Sequence, residues 1–154
     1  MANEIATAGI QVLYAVEATA GTRPTTGYTA IPNIKGISGI AAEPATYEVT
    51  DLSDTEYKRY IPALKDMGGN ITLNVNLTEA FKTAWGTLVA AYETAIAADK
   101  ATWFEFKIPG WTDSFYIAGI PTELSFPDVD TDAVLDGNVY VAPNQIEGWA
   151  TASA

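Results

Sequence analysis

Between residues 71 and 78 the chain alternates without a fault. Ile71, Leu73, Val75 and Leu77 fall on one side, and Thr72, Asn74, Asn76 and Thr78 on the other. A period of two is the repeat of a β-strand with one face on a core and the other in water. The wet side carries no charge, which is unusual in a chain of 19 acidic and 8 basic residues. A weaker alternation upstream, Ile34, Gly36, Ser38 and Ile40 against Lys35, Ile37, Gly39 and Ala41, predicts a second strand, twisted or bulged at its glycines. Between the two lies a segment of about 43 to 69, long for a connection in a compact domain. It starts extended at Thr46–Thr50 and turns polar at Asp51-Leu52-Ser53-Asp54. It then runs through Tyr57, Arg59, Tyr60, Ile61 and Pro62 and re-enters the fold at Gly68-Gly69. Tyr47, Val49, Leu52, Ile61 and Leu64 give it an apolar content that disordered tracts lack, so it reads as a contact surface.

The remaining patterns are mostly strands. Ile10, Val12, Tyr14 and Val16 mark a first strand within 8–16, covered on both faces, behind an N-terminal arm of about residues 1–8. Residues 17–32 are turn-forming; their GTRPTTG run lacks the Gly-Lys-Ser/Thr ending of a phosphate loop. Phe81, Trp85, Leu88, Tyr92 and Ile96 form one apolar stripe at spacings of four and three. This predicts a helix over 78–99, capped by Thr78, in which Gly86 costs about 1 kcal/mol relative to alanine, tolerable if something packs closely there. Residues 101–108 and 114–120 read as a hairpin turning at Pro109-Gly110, and Thr122–Phe126 as extended. A last strand pair is expected at 133–141 and 145–149, followed by a loose tail over about 150–154. This element order predicts a single, mainly β domain: an antiparallel β-sandwich or partly closed barrel with one packed α-helix.

The composition narrows the chemistry. The 154 residues include neither cysteine nor histidine, which removes disulfides, thiolate sites, the commonest general base and the commonest metal ligand. No nucleophile and base pair can be named, so no enzyme activity and no cofactor are expected. Asp128, Asp130, Asp132 and Asp136 have the spacing of the start of a calcium loop. However, Ala133 stands where such a loop needs glycine and Val139 where it needs glutamate, and a solvated acidic turn is the expectation. A net charge of −11 opposes adhesion to nucleic acid or an anionic membrane. No apolar run approaches the length of a bilayer span, and the first residues lack the pattern of a secretion signal, so synthesis as a soluble cytoplasmic chain is expected.

The order IPNIKGISGI, then YEVTDLSD over 47–54, then YKRYIPALKDMGG over 57–69, resembles the tail tube proteins of long-tailed bacteriophages. In that family a V-x-D-L step and an E/R-x-F/Y-I-x-G-L-x-D-x-G step bracket the same insertion. The chain departs from the pattern at Ala63 and Gly69. The resemblance covers about a third of the chain closely and implies the tail tube fold. It also implies a structural role, in which subunits form rings, six to a ring, that stack into a hollow tube through which phage DNA passes without specific binding. Implied partners are further copies, a tape-measure protein, a tail terminator and distal tail proteins. The implied location is the virion tail after assembly in the host cytoplasm. On this reading Leu52, Tyr57, Tyr60 and Ile61 anchor ring contacts and Asp51, Asp54 and Arg59 set their register. Thr72, Asn74 and Asn76 face the lumen or a neighbour. Two alternatives stay open: the inner tube of a contractile tail, injection or secretion system, and a monomeric carbohydrate-binding β-sandwich using Trp103, Trp111 and Tyr116.

Overall fold

The alternating stretch forms a strand in the computed structural model, which describes residues 8–40, 44–64 and 69–153. In chain order the described elements are β1 (Gln11–Val16), β2 (Thr29–Ala30), β3 (Ile34–Ser38), β4 (Thr46–Glu48), β5 (Tyr60–Pro62), β6 (Ile71–Asn76), α1 (Glu79–Ile96), β7 (Thr102–Lys107), β8 (Asp113–Pro121) and β9 (Asp136–Thr151). Seven strands make one sheet in the order β2-β1-β7-β8-β9-β6-β3, while β4 and β5 pair only with each other. Every strand pairing is antiparallel.

The two outermost strands of this sheet, β2 and β3, are consecutive in the chain and separated by Ile31-Pro32-Asn33. The four Cα steps from Ala30 to Ile34 reach at most about 14 Å, so the sheet must curl until its two ends nearly meet. The backbone marks the change of partner. Ile31 N donates to Val12 O at 2.8 Å, still alongside β1, and Asn76 N donates to Asn33 O at 2.9 Å, already alongside β6. Pro32 has no N–H to satisfy at the crossing. Asn33 takes a left-handed conformation (φ 63°) that asparagine tolerates better than most residues. Its side-chain amide donates to Thr78 Oγ1 (2.6 Å), the same oxygen that accepts from Phe81 N and caps α1. The crossing and the helix start are therefore tied together. The expectation of a mainly β fold with one helix is met, as a partly closed barrel formed by a single curled sheet.

Alternation then dictates the core. Val12, Phe104, Phe106, Ile117, Val139, Val141, Ile71, Leu73 and Val75 point inward, and Phe81, Trp85 and Leu88 of α1 pack against them. Trp85 also donates its indole N–H to Thr122 O at 2.8 Å, pinning the chain where it leaves β8. The helix begins at its Thr78 cap as expected but stops at Ile96, short of 99. Asp99 enters the left-handed region (φ 58°) and Lys100 N closes back on Ala95 O at 2.9 Å.

Two expectations are corrected. The last strand pair is one continuous strand, β9. Pro143 and Asn144, in the gap between the two expected strands, sit at an irregularity where Ala118 faces Gln145 and Gly119 faces Pro143, so the extra residue is absorbed as a bulge. The tail is held rather than loose through Ser153: β9 continues to Thr151, Ala152 N donates to Thr112 O, and Ser153 is buried. Beyond β8, Thr122 N still donates to Tyr140 O (3.1 Å), and 122–126 belongs to no strand. Gly86 is exposed, and a Cβ there would meet nothing within 4 Å, so close packing is not its reason. The N-terminal arm lies outside the described residues, apart from Ala8.

Two glycines should consequently respond in opposite directions. Gly86→Ala should stabilise the protein by about 0.5–1 kcal/mol, the helix penalty of glycine with no compensating contact. Gly119→Ala should destabilise it by about 1–3 kcal/mol. A Cβ at Gly119 would lie 2.5 Å from Val141 Cγ1 and 3.1 Å from the Ala142 carbonyl oxygen. Urea unfolding midpoints check both.

Candidate assembly surface

The 43–69 segment, of which residues 44–64 and 69 are described, forms a hairpin separate from the barrel sheet. Thr46 faces Pro62, Tyr47 faces Ile61, and Glu48 faces Tyr60. Val49 N donates to Arg59 O (2.8 Å) and Ala63 N to Ala45 O (2.9 Å), extending the ladder at both ends. A two-stranded ladder this short is marginal on its own in water. Two features bear on that instability.

The first is a polar clasp at the tip. Asp51 accepts from Ser53 N (2.8 Å) and from the Ser53 hydroxyl, and Asp51 N donates to Asp54 Oδ2 (2.9 Å). Arg59 spans both carboxylates, with Nε to Asp54 Oδ2 at 2.8 Å and Nη2 to Asp51 Oδ2 at 3.1 Å. Hydrogen bonds from the Ser53 side chain and backbone hold the Asp51 carboxyl below the usual range. Asp54 is held down by its bond from Asp51 N and by Arg59. The structure thus brings Asp51, Asp54 and Arg59 together. Expected to set register against a partner, they satisfy one another and shape the tip.

The second feature is apolar exposure. Leu52, Tyr57 and Leu64 stand almost wholly in solvent, and Tyr47, Tyr60 and Ile61 about half so. Their partners across the ladder place Tyr47 and Ile61 on one face and Tyr60 and Pro62 on the other, so both faces of the hairpin are open. The expected anchors Leu52, Tyr57, Tyr60 and Ile61 are all available for contact.

Thr72, Asn74 and Asn76 lie on the outside of the barrel. They pair across to Tyr140, Asn138 and Asp136 of β9, and on the other side Thr72 and Asn74 face Ser38 and Gly36 of β3. The strip stays uncharged until its end, where Lys35 Nζ meets Asp136 Oδ2 at 3.0 Å.

Sequence patterning gave no sign of a second exposed apolar region. The irregular stretch 122–135 exposes Phe126, Val129, Val134 and Leu135 among its aspartates. With Leu77, Leu124 and Pro127 it borders a groove of about 480 Å³ beside the start of α1. No periodicity flags such a stretch, because its apolar residues face solvent at irregular intervals. Among the described residues no group of three or more Asp or Glu is arranged to hold a metal ion. The sugar-binding trio is dispersed. Trp103 and Tyr116 are buried, whereas Trp111 is half exposed and packs against Trp149 with ring centres 5.6 Å apart.

No family model matches the chain, and no curated protein matches it. Solved structures do. A chain from the anti-feeding prophage cap, described as the tube terminating cap, superimposes with a TM-score of 0.60 at 14% identity, over 99% of this chain and 95% of that one. A chain from the anti-feeding prophage baseplate gives 0.61 at 10% identity, covering both chains fully. A chain from the sheath/tube terminator of an extracellular contractile injection system gives 0.57 at 17% identity, over 97% and 100%. At such identities the likeness is one of fold.

The clasp has a pH signature. Because both aspartates titrate below their ordinary values, it is complete above the ordinary carboxylate range and is lost as pH falls through the depressed ones. In an NMR titration the Asp51 and Ser53 amides should shift with midpoints below that of an unperturbed aspartate, while core amides stay still. Midpoints at or above that value would show the clasp to be absent in solution.

Proposed function

We propose that this protein is a structural subunit that polymerises into the hollow tube of a phage-tail-like particle. The observation that carries the reading is the projecting hairpin. A marginal two-stranded element has its tip preorganised by ion pairs, and its apolar side chains are left uncovered on both faces. Preorganisation lowers the ordering cost of association, and exposed aromatic anchors supply its energy. Such a hairpin cannot bury both faces against its own barrel, so a neighbouring copy is the natural cover, in a head-to-tail contact that repeats. Stacked rings with the hairpin reaching the next ring accommodate this, and six copies per ring is the number the tail tube resemblance carries.

Of the two tube readings, the inner tube of a contractile injection system is favoured over the long-tailed phage tube. The support is full-length similarity of fold to chains from contractile injection assemblies. The partners that follow are further copies, a terminator at the tube's end and, on the contractile reading, a surrounding sheath. The sugar-binding alternative loses its support with the burial of Trp103 and Tyr116.

Tyr60→Ala and Ile61→Asp should fold normally by circular dichroism. Each should raise the concentration needed for tube formation about 30-fold or more, the equivalent of losing an anchor of about 2 kcal/mol. Negative-stain microscopy and light scattering of concentrated protein read this out, and tubes of normal stability from both variants would sink the anchor assignment. Where assembly needs an initiating complex, labelled microscopy of particles containing the protein tests the reading, and absence of label from the tube overturns it.

The charge of −11 per copy adds a second expectation. Neither subunits nor tubes should retard duplex DNA in a low-salt gel, where electrostatic attraction is strongest. A salt-sensitive shift by pure protein would overturn the view of the tube as a non-adhesive conduit.

A further inference from the structure

Glu105 is fully buried in the middle of β7, on the face turned away from the barrel interior, and the assembly reading makes no use of it. Its Oε2 accepts from Ser153 N at 3.0 Å and its Oε1 from the Ser153 hydroxyl. The Tyr116 hydroxyl lies 3.1 Å from Oε2 and 2.7 Å from Thr151 O. Tyr116 has one proton for these two acceptors, and the shorter contact is to the Thr151 carbonyl. Ser153 therefore supplies two of the carboxylate's donors, its amide and its hydroxyl. The segment is fastened on either side: Ala152 N donates to Thr112 O (2.9 Å) and Lys107 Nζ to Ser153 O (3.1 Å). It thus leaves β9, passes the start of β8 and lies over β7 at Ser153.

A buried carboxylate with no ion pair is tolerable only while its hydrogen bonds are kept, and removing its donors costs more than those bonds gain in net stability. We propose that residues 151–153 form a latch that Glu105 holds closed over the Tyr116 face of the sheet, and that protonation of Glu105 releases this segment from that face. The other ionisable groups facing the site are Lys107 on β7, Tyr116 on β8, Glu147 on β9, and Arg23 and Tyr28 from the segment before β2. Arg23 pairs with Glu147 and lies 4.1 Å from the Tyr116 ring centre, so it braces the ring without bonding to Glu105. Lys107 is engaged by the Ser153 carbonyl.

Burial alone would raise the Glu105 carboxyl, but the hydrogen bonds from the Ser153 hydroxyl and amide, joined by the Ser114 and Tyr116 hydroxyls, together outweigh it and hold the group below its ordinary value. A depressed carboxylate contributes its stabilisation above the unfolded value and loses it as pH falls through the folded one. The latch is closed at neutral pH and opens in acid.

Amide hydrogen exchange of Ala152 and Ser153, measured by NMR on the full chain from pH 7 to 3 and divided by free-peptide rates, tests this. In the wild type, protection should be strong at pH 7 and fall at least tenfold with a midpoint below the ordinary glutamate value. Glu105→Gln should abolish that pH dependence and weaken protection at Ser153. Ser153→Ala, which leaves the barrel core intact, should move the midpoint upward and keeps the test available if Glu105→Gln fails to fold. Free-peptide exchange at pH 7 in the wild type, an unchanged pH profile in Glu105→Gln, or an unmoved midpoint in Ser153→Ala would overturn the proposal.

Discussion

The architecture depends on one covalent fact: the strand that begins beside β1 ends beside β6. A sheet whose two edges belong to one uninterrupted stretch of chain cannot stay open, and the curl gives inward residues from six strands a common interior. α1 closes that interior from the side where Trp85 and Phe81 enter it, with ring centres 5.8 Å apart. The placement of the helix is linked to the crossing through the Asn33–Thr78 bond. Rotating the crossing by one residue would send Ile31 and Ile34 outward and strand the cap, because a one-residue slip reverses every side chain of a strand. Closure also largely removes the exposed edges that make sheets aggregate, leaving β3 as the longer of the two outermost strands.

With the barrel closed, the hairpin of β4 and β5 has no sheet to join, although it grows out of the chain between β3 and β6, which pair directly. Its insertion costs the barrel little: loop-closure entropy rises slowly with length, and the β3–β6 register is set by their own side chains. The barrel thus acts as a rigid base for an element whose apolar surface has no use inside one chain. Ion pairs of exposed side chains are weak contributors to stability. The Asp51–Arg59–Asp54 clasp accordingly fixes the shape of the tip far more than it holds the fold together.

Sequence patterning was most informative where side chains repeat with a period. The alternation at 71–77 became β6, the stripe from Phe81 to Leu88 became the buried face of α1, and the glycines of β3 became an irregular register between Ile34 and Gly36. The long segment was recognised by composition alone, and its exposed tyrosines agree with that reading. What patterning could not supply depends on distant partners. Pro143-Asn144 has the chemistry of a turn, and only the opposing Ala118 and Gly119 of β8 make it a bulge. Asp51 and Arg59 look like surface charges until the hairpin ladder brings them within reach of each other. Glu105 sits in an apolar run, Trp-Phe-Glu-Phe, where its burial is intelligible only once Ser153 is seen to arrive from 48 residues away.

Charge sets the terms on which copies of this chain can meet. At −11 each, they repel at long range, and both arginines and two of the six lysines already have partners within the chain. Arg23 is engaged by Glu147, Lys35 by Asp136, Arg59 by Asp51 and Asp54, and Lys107 by the Ser153 carbonyl. In the proposed assembly, association would then rest chiefly on apolar surface, with electrostatics acting mainly against contacts that bring acidic regions together. The two exposed apolar regions differ in this respect. The 122–135 stretch mixes its apolar residues with four acidic residues and no cation, so it repels another copy of itself, whereas the hairpin over 44–64 sets Lys58 and Arg59 against Glu48, Asp51, Asp54 and Glu56, with Arg59 offsetting part of the Asp51 and Asp54 charge. In the proposed assembly, association through the hairpin would discriminate against self-pairing at the acidic stretch. That bias favours a directional contact between unlike surfaces, the kind from which an extended tube can grow.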